Sequence, residues 1–260
     1  MTQAFWLSVA PLLVFNVLFL STLGYFWLTY TQRVIPQEIA KNMDAKEHSR
    51  FLSRFLKEYW YWLTNPFEQM LVKYRISPNT LTFFGFLLSC TSGYFFHQRM
   101  FGTGGWFMIF GATFDMFDGR IARSTGHVTK SGAFFDSVMD RFSEAVVFLG
   151  LASAYRNSWI LNLVVLALIG SMMVSYTRAR GEGVGILCSI GWMQRPERIV
   201  YLGVGSIFSP IFAYFLSLVV HWVRIPPDFM TIAALLVITV FTNLTAMVRM
   251  RYIMQNLDKN

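Results

Sequence analysis

Charge is scarce in this chain: Asp, Glu, Lys and Arg together make up 14% of its 260 residues, where a soluble domain carries about 25%. That shortage excludes an ordinary water-facing surface, and the 55% apolar and 17% aromatic content points to a protein solvated by lipid. Cysteine is nearly absent. Cys90 falls in a predicted span and Cys188 in a loop, so two lone thiols give neither a disulfide framework nor thiolate metal spacing. No internal repeat or low-complexity tract is present. Met1-Thr2-Gln3 lacks the basic start of a secretory signal, so the first apolar run is expected to remain as a membrane helix.

What the chain does have is apolar length. Runs at about 4–30, 80–97, 103–119, 133–155, 158–177, 199–222 and 229–248 are each long enough to cross roughly 30 Å of hydrocarbon. The expected fold is an all-α polytopic membrane protein: an N-terminal transmembrane helix (1–30), a cytoplasmic connector (31–79) and a domain of six transmembrane helices (80–260). Of 22 basic residues, 18 fall in the connector, the 120–132 turn, the 178–198 loop and the C-terminal tail; only Arg99, Arg156 and Arg224 face the other side, and Arg141 lies in a span. By the positive-inside rule the 18 face the cytoplasm and the N-terminus lies outside, which fits a prokaryotic inner membrane. The net charge of +8 then reads as an orientation signal and a contact with anionic lipid heads, and nucleic acid is a poor partner for it.

Within the connector, "RFLSRFLKEYWYWL" is amphipathic at helical spacing. Phe51, Leu52, Phe55, Leu56, Tyr59, Trp62 and Leu63 share one arc, with Arg50, Ser53, Arg54, Lys57 and Glu58 opposite. Such a helix lies flat in the interface or packs on its own protein, and the pattern fits both. Pro66 and Pro78 are expected to break the connector, and "SPNTLT" starts the next span. "GEGVG" at 181–185 follows a membrane helix rather than a strand, so it reads as a flexible turn and not a phosphate loop.

The few acidic residues are concentrated. On a helix, Asp115, Asp118, Gly119 and Ala122 fall within about a 100° arc; Gly132, Asp136 and Asp140 share a face of the next helix. A short turn separates the two, so they should run antiparallel and gather four carboxylates near one membrane surface. Each ionised carboxylate near the bilayer centre costs roughly 2.5–3.5 kcal/mol by insertion scales, so a compensating cation is needed. Hard oxygen donors without His or Cys suit Mg²⁺ or Mn²⁺, singly or as a pair, and argue against zinc or copper. The bland alternative is helix-end pairing with Arg120, Arg123 and Arg141. Gly119, Ala122 and Gly132 on the same faces let backbones approach or admit a flat group, and Arg123 can reach phosphate oxygens.

"DMFDGRIAR", followed eight residues later by "GAFFDSVMD", resembles the signature of the CDP-alcohol phosphotransferases, D-x2-D-G-x2-A-R-x8-G-x3-D-x3-D, without a departure. The resemblance implies a six-helix membrane core and a Mg²⁺- or Mn²⁺-dependent transfer of a phosphatidyl group from CDP-diacylglycerol or a related CDP-lipid to an alcohol, releasing CMP. It implies that Asp115, Asp118, Asp136 and Asp140 hold two ions, that Asp118, Gly119, Ala122, Arg123 and Gly132 contact the nucleotide, and that Asp140 is the general base. It also suggests a homodimer.

"SYTRARGEG" and "QRPER" place Arg178, Arg180, Arg195 and Arg198 on the side of the aspartates, and Lys130 precedes the second pair. Such a cluster suits an acceptor carrying its own phosphate. "DSVMDRFSE" with "YTRAR" is most similar to the branch that uses inositol phosphate, although Gly181 stands where that branch has alanine. Glycerol 3-phosphate is the competing acceptor. An intramembrane prenyltransferase and a divalent-cation transporter are the more distant readings; the first usually separates its Asp motifs widely, and the second would continue its acids across the bilayer.

Overall fold

The computed structural model describes residues 3–30, 54–219 and 225–258. Among these there are eight helices and no strand: α1 (Gln3–Thr29), α2 (Arg54–Lys73), α3 (Pro78–His97), α4 (Phe101–Ser124), α5 (Lys130–Ala154), α6 (Ile160–Gly183), α7 (Arg195–Val219) and α8 (Phe229–Leu257). By length and composition α6, α7 and α8 suffice to cross a membrane. The lengths of α3, α4 and α5 are comparable, but Gly, Ser and Thr dilute their apolar character, as do the acids of α4 and α5. Large apolar side chains such as Trp27, Phe134, Leu149 and Val219 point outward, as a lipid-solvated surface requires. The chain is an integral membrane protein.

Capping fixes where two of the site-forming elements begin. The Thr80 amide donates to Ser77 Oγ at 3.3 Å with Pro78 in the first turn of α3, and the Gly132 amide donates to Thr129 Oγ1 at 3.0 Å at the start of α5. The hydropathy runs end before the helices do: α4 continues to Ser124, α6 to Gly183 and α8 to Leu257. Backbone hydrogen bonding does not stop at the edge of the apolar run, and these polar last turns extend the helices that carry the motif residues.

The arrangement of α4 and α5 differs from a simple antiparallel pair, because α3 packs extensively against both. Glycines permit this. Gly85 of α3 meets Gly111 of α4 so closely that a Cβ on either would lie 2.9 Å from the other's carbonyl oxygen, and a Cβ on Gly150 of α5 would lie 2.1 Å from the Gly93 oxygen. Gly150→Ala is therefore expected to push α5 off α3 and to cost about 1–3 kcal/mol, read as a lowered unfolding midpoint in detergent. Below that seam Phe96, Phe101, Phe148, Leu151, Leu202 and Leu235 bring five helices into one core. Further pairings, α4 with α7, α6 with α8 and α7 with α8, complete the packing of α3 to α8 on one another.

The described part of the amphipathic helix, α2, packs on its own protein. Phe55, Tyr59 and Trp62 pack in tilted and edge-on contacts around Phe26 of α1, and Phe67 packs on Phe114 and Phe117 of α4. Two expectations need correction. Pro66 does not break the helix, which runs through it, since contacts on both sides hold it in place. Glu58, assigned to the solvated face, is only 4% exposed and accepts from the Tyr30 hydroxyl at 2.6 Å. Residues 50–53 of the predicted amphipathic stretch, like Arg33, Lys41, Lys46, Arg224 and Lys259 of the charge count, lie outside the described residues. The "GEGVG" glycines are partly helical: Gly181 and Gly183 close α6, and Gly185 takes a φ of +83° in the turn that follows.

Candidate metal centre

Helical spacing does the first part of the assembly. Asp115 and Asp118 lie one turn apart on α4, Asp136 lies on α5, and one carboxylate oxygen from each falls within 4.8 Å of the others. Three hard anionic oxygens from two helices form a donor set that fits a divalent ion such as Mg²⁺ or Mn²⁺, and nitrogen or sulfur ligands are absent from the cluster. Asp118 is the most buried of the three, 4% exposed, and Thr82 of α3 donates its hydroxyl to Asp118 Oδ2. The interposed helix thus orients a carboxylate of the motif, a contact that no spacing pattern in the sequence signals.

Asp140 follows Asp136 by one turn and meets a cation. Arg195, the first residue of α7, donates from Nη1 to Asp115 Oδ2 at 2.6 Å, and the same nitrogen lies 2.7 Å from Asp140 Oδ1. The second approach is ionic, without the direction of a good hydrogen bond. Arg141 adds a longer contact to Asp140, 3.4 Å. The four acids are therefore gathered, and a single guanidinium spans two of them. Helix-end pairing accounts for little: Arg120 instead donates to Glu68 of α2 at 2.9 Å and lies over the Tyr61 ring, and Arg141 makes only its longer contact with Asp140.

The small residues are placed as follows. The nearest atoms to a Cβ built on Gly119 belong to the Arg123 guanidinium, at 3.3 Å, so among the described residues no neighbouring helix backbone crowds this position. Ala122 follows on the same helix, half-buried, and Arg123 is exposed. Gly132 sits in the first turn of α5 beside the Thr129 cap.

The basic residues assigned to an acceptor have different surroundings. Lys130 is exposed at the start of α5 and Arg180 is exposed near the end of α6. Arg178 pairs with Glu182 at 2.9 Å. Arg195 is on the acids. Arg198 is 1% exposed and bound along one edge by Glu144, Nε to Oε1 at 2.6 Å and Nη2 to Oε2 at 2.9 Å. That pair is interior structure, with the guanidinium committed to Glu144. Glu144 had a sequence signal, since it lies one turn beyond Asp140 on the same face as Asp136 and Asp140. Gly181, the departure from alanine, packs where a Cβ would lie 2.8 Å from Ile253 Cδ1 and 3.0 Å from the Ile186 oxygen. Close packing of α6 on α8 explains the glycine.

A polytopic helical fold with three carboxylates converging from two helices defines a membrane protein with a candidate divalent-ion centre. Residues 75–241 match the CDP-alcohol phosphatidyltransferase family, and the chain belongs to it. It is 38% identical over 156 residues to an archaetidylinositol phosphate synthase of Pyrococcus horikoshii, covering 59% of this chain and 81% of the relative. It is 32% identical over 158 residues to a phosphatidylinositol phosphate synthase of Mycobacteroides abscessus, covering 59% of this chain and 72% of that one. Among solved structures, the phosphatidylinositol phosphate synthase of Mycobacterium tuberculosis with CDP-DAG bound superposes with a TM-score of 0.61 at 25% identity, over 73% of this chain and 92% of that chain. The same enzyme in complex with manganese and citrate gives a TM-score of 0.61 at 25% identity, over 73% and 88%.

Proposed function

We propose that this protein transfers the phosphatidyl group of CDP-diacylglycerol, or of a related CDP-lipid, to a hydroxyl of inositol phosphate and releases CMP. The observation that carries the reading is the convergence of Asp115, Asp118 and Asp136 within 4.8 Å, with Asp140 one turn further on. The relatives' names, each an inositol phosphate-using synthase, support the acceptor class.

Asp115, Asp118, Asp136 and Asp140 would hold two ions, Mg²⁺ or Mn²⁺, which when bound neutralise the diphosphate and stabilise the departing CMP oxygen. In this reading Asp118, Gly119 and Ala122 present α4 to the nucleotide, Gly132 meets it from the start of α5, and Arg123 lies beside Gly119 for the phosphates. Asp140 takes the proton of the acceptor hydroxyl; the hydroxyl oxygen bonds to the lipid-side phosphorus as the bond to the CMP oxygen breaks. Lys130, Arg178, Arg180 and Arg195 remain the residues assigned to the acceptor's phosphate, while Arg198 acts through its pairing with Glu144. The orientation in this reading puts the centre at the cytoplasmic face of a prokaryotic inner membrane with the N-terminus outside; the six-helix domain from residue 80 carries the chemistry, and a homodimer is the working assembly.

The test is an acceptor panel. Purified protein with CDP-diacylglycerol and Mg²⁺ is expected to release CMP with inositol phosphate and at least about tenfold more slowly with glycerol 3-phosphate, inositol or serine, the discrimination that a pocket binding a charged group supplies. Preference for glycerol 3-phosphate would move the protein to the sister reaction, and divalent-cation flux in vesicles without CMP release would replace the enzyme reading.

A further inference from the structure

Arg195 does not behave as a loose surface side chain. Pro196 follows it at the helix start, and the segment before it is strapped down: the Trp192 and Met193 amides donate to Thr245 Oγ1 at 3.1 and 3.2 Å, and Arg249 Nε donates to the Ile190 oxygen at 2.7 Å. One turn on, the Arg198–Glu144 pair ties α7 to α5. A rigid mount therefore delivers the Arg195 guanidinium to Asp115 and Asp140, and its side chain is still 22% exposed, open to an ion or a small anion. Its Nε is buried without a hydrogen-bond partner among the described residues, so the group is not fully committed where it sits.

Two demands then conflict. Oxygens that receive a guanidinium at 2.6–2.7 Å do not offer the same lone pairs to a divalent ion, and a carboxylate held by a fixed cation is a weaker proton acceptor. Arginine stays charged throughout, so it leaves by moving and not by losing a proton. Once displaced, its planar fork needs another anion, and a phosphate oxygen pair is the matching geometry.

We propose that Arg195 is a displaceable counter-cation: divalent ions compete with it for Asp115 and Asp140, and once they take those carboxylates it turns to the acceptor's phosphate. Acceptor binding then depends on prior metal binding, which keeps the centre from engaging a polyol phosphate before it can react. The inference rests on the metal-centre reading above and adds an internal competitor to it.

The experiment measures Mn²⁺ binding to the full chain in nanodiscs, from loss of the free-ion electron paramagnetic resonance signal, with and without inorganic phosphate. Removing the competitor should tighten binding, so Arg195→Gln is expected to bind Mn²⁺ about tenfold more tightly than wild type and Arg195→Lys to fall between. Phosphate should tighten Mn²⁺ binding several-fold in wild type and markedly less in Arg195→Gln, because coupling between two ligands is reciprocal. Equal or weaker Mn²⁺ binding by Arg195→Gln overturns the proposal. Should that variant not fold, the structure of the Mn²⁺-loaded wild type decides, since Arg195 still in contact with both Asp115 and Asp140 also overturns it. A wild type that takes up no Mn²⁺ removes the metal-centre reading itself, a result distinct from failure of the counter-cation role.

Discussion

Asp140→Asn is expected to remove CMP release while the protein remains folded. Loss of proton transfer alone costs about 10²–10⁴-fold, and loss of an anionic ligand adds to it. The fold should survive because asparagine has the same shape and because Arg195, deprived of one partner, keeps its 2.6 Å contact with Asp115. CMP release and the unfolding midpoint are measured on the same preparation. A variant that unfolds at a much lower temperature would mean that Asp140 is a structural counter-ion to Arg195, and a variant with near-wild-type turnover would place the base elsewhere.

The largest stability effect is expected from the interior pair behind the centre. Arg198→Met leaves the Glu144 carboxylate, 9% exposed, without its bidentate partner, and an uncompensated buried charge costs about 3–5 kcal/mol. Replacing both, Glu144→Leu with Arg198→Met, removes the charge together with its partner and should recover most of that loss, because the attraction of a buried pair roughly offsets its own desolvation. Denaturant titration of the two single variants and the double variant in detergent forms a cycle, and additive losses would show that the two side chains do not act as a pair.

Much of the architecture was readable from the order of residues. Helical spacing put Asp115 with Asp118 and Asp136 with Asp140 on single faces, the intervening turn was short, and apolar runs located α3 to α8, because hydrophobic burial and the 3.6-residue repeat are local properties of a sequence. Apolar runs stop short of the helix ends where polar turns continue the backbone bonding, as in α6 and α8. Local propensity predicts a break at Pro66; packing on both sides of α2 overrides that preference.

The sequence by itself determined a lipid-solvated helical chain and a set of acids with the spacing and hardness to attract a divalent ion. The tertiary structure alone decided which partners those acids have: Thr82 from an interposed helix on Asp118, Arg195 from 80 residues away on Asp115, and Arg198 turned inward to Glu144. Periodicity fixes the face a side chain leaves from, within one helix. Which cation it meets depends on how α3 and α7 cross the others, and those crossings are set by glycine contacts and core packing between segments distant in sequence.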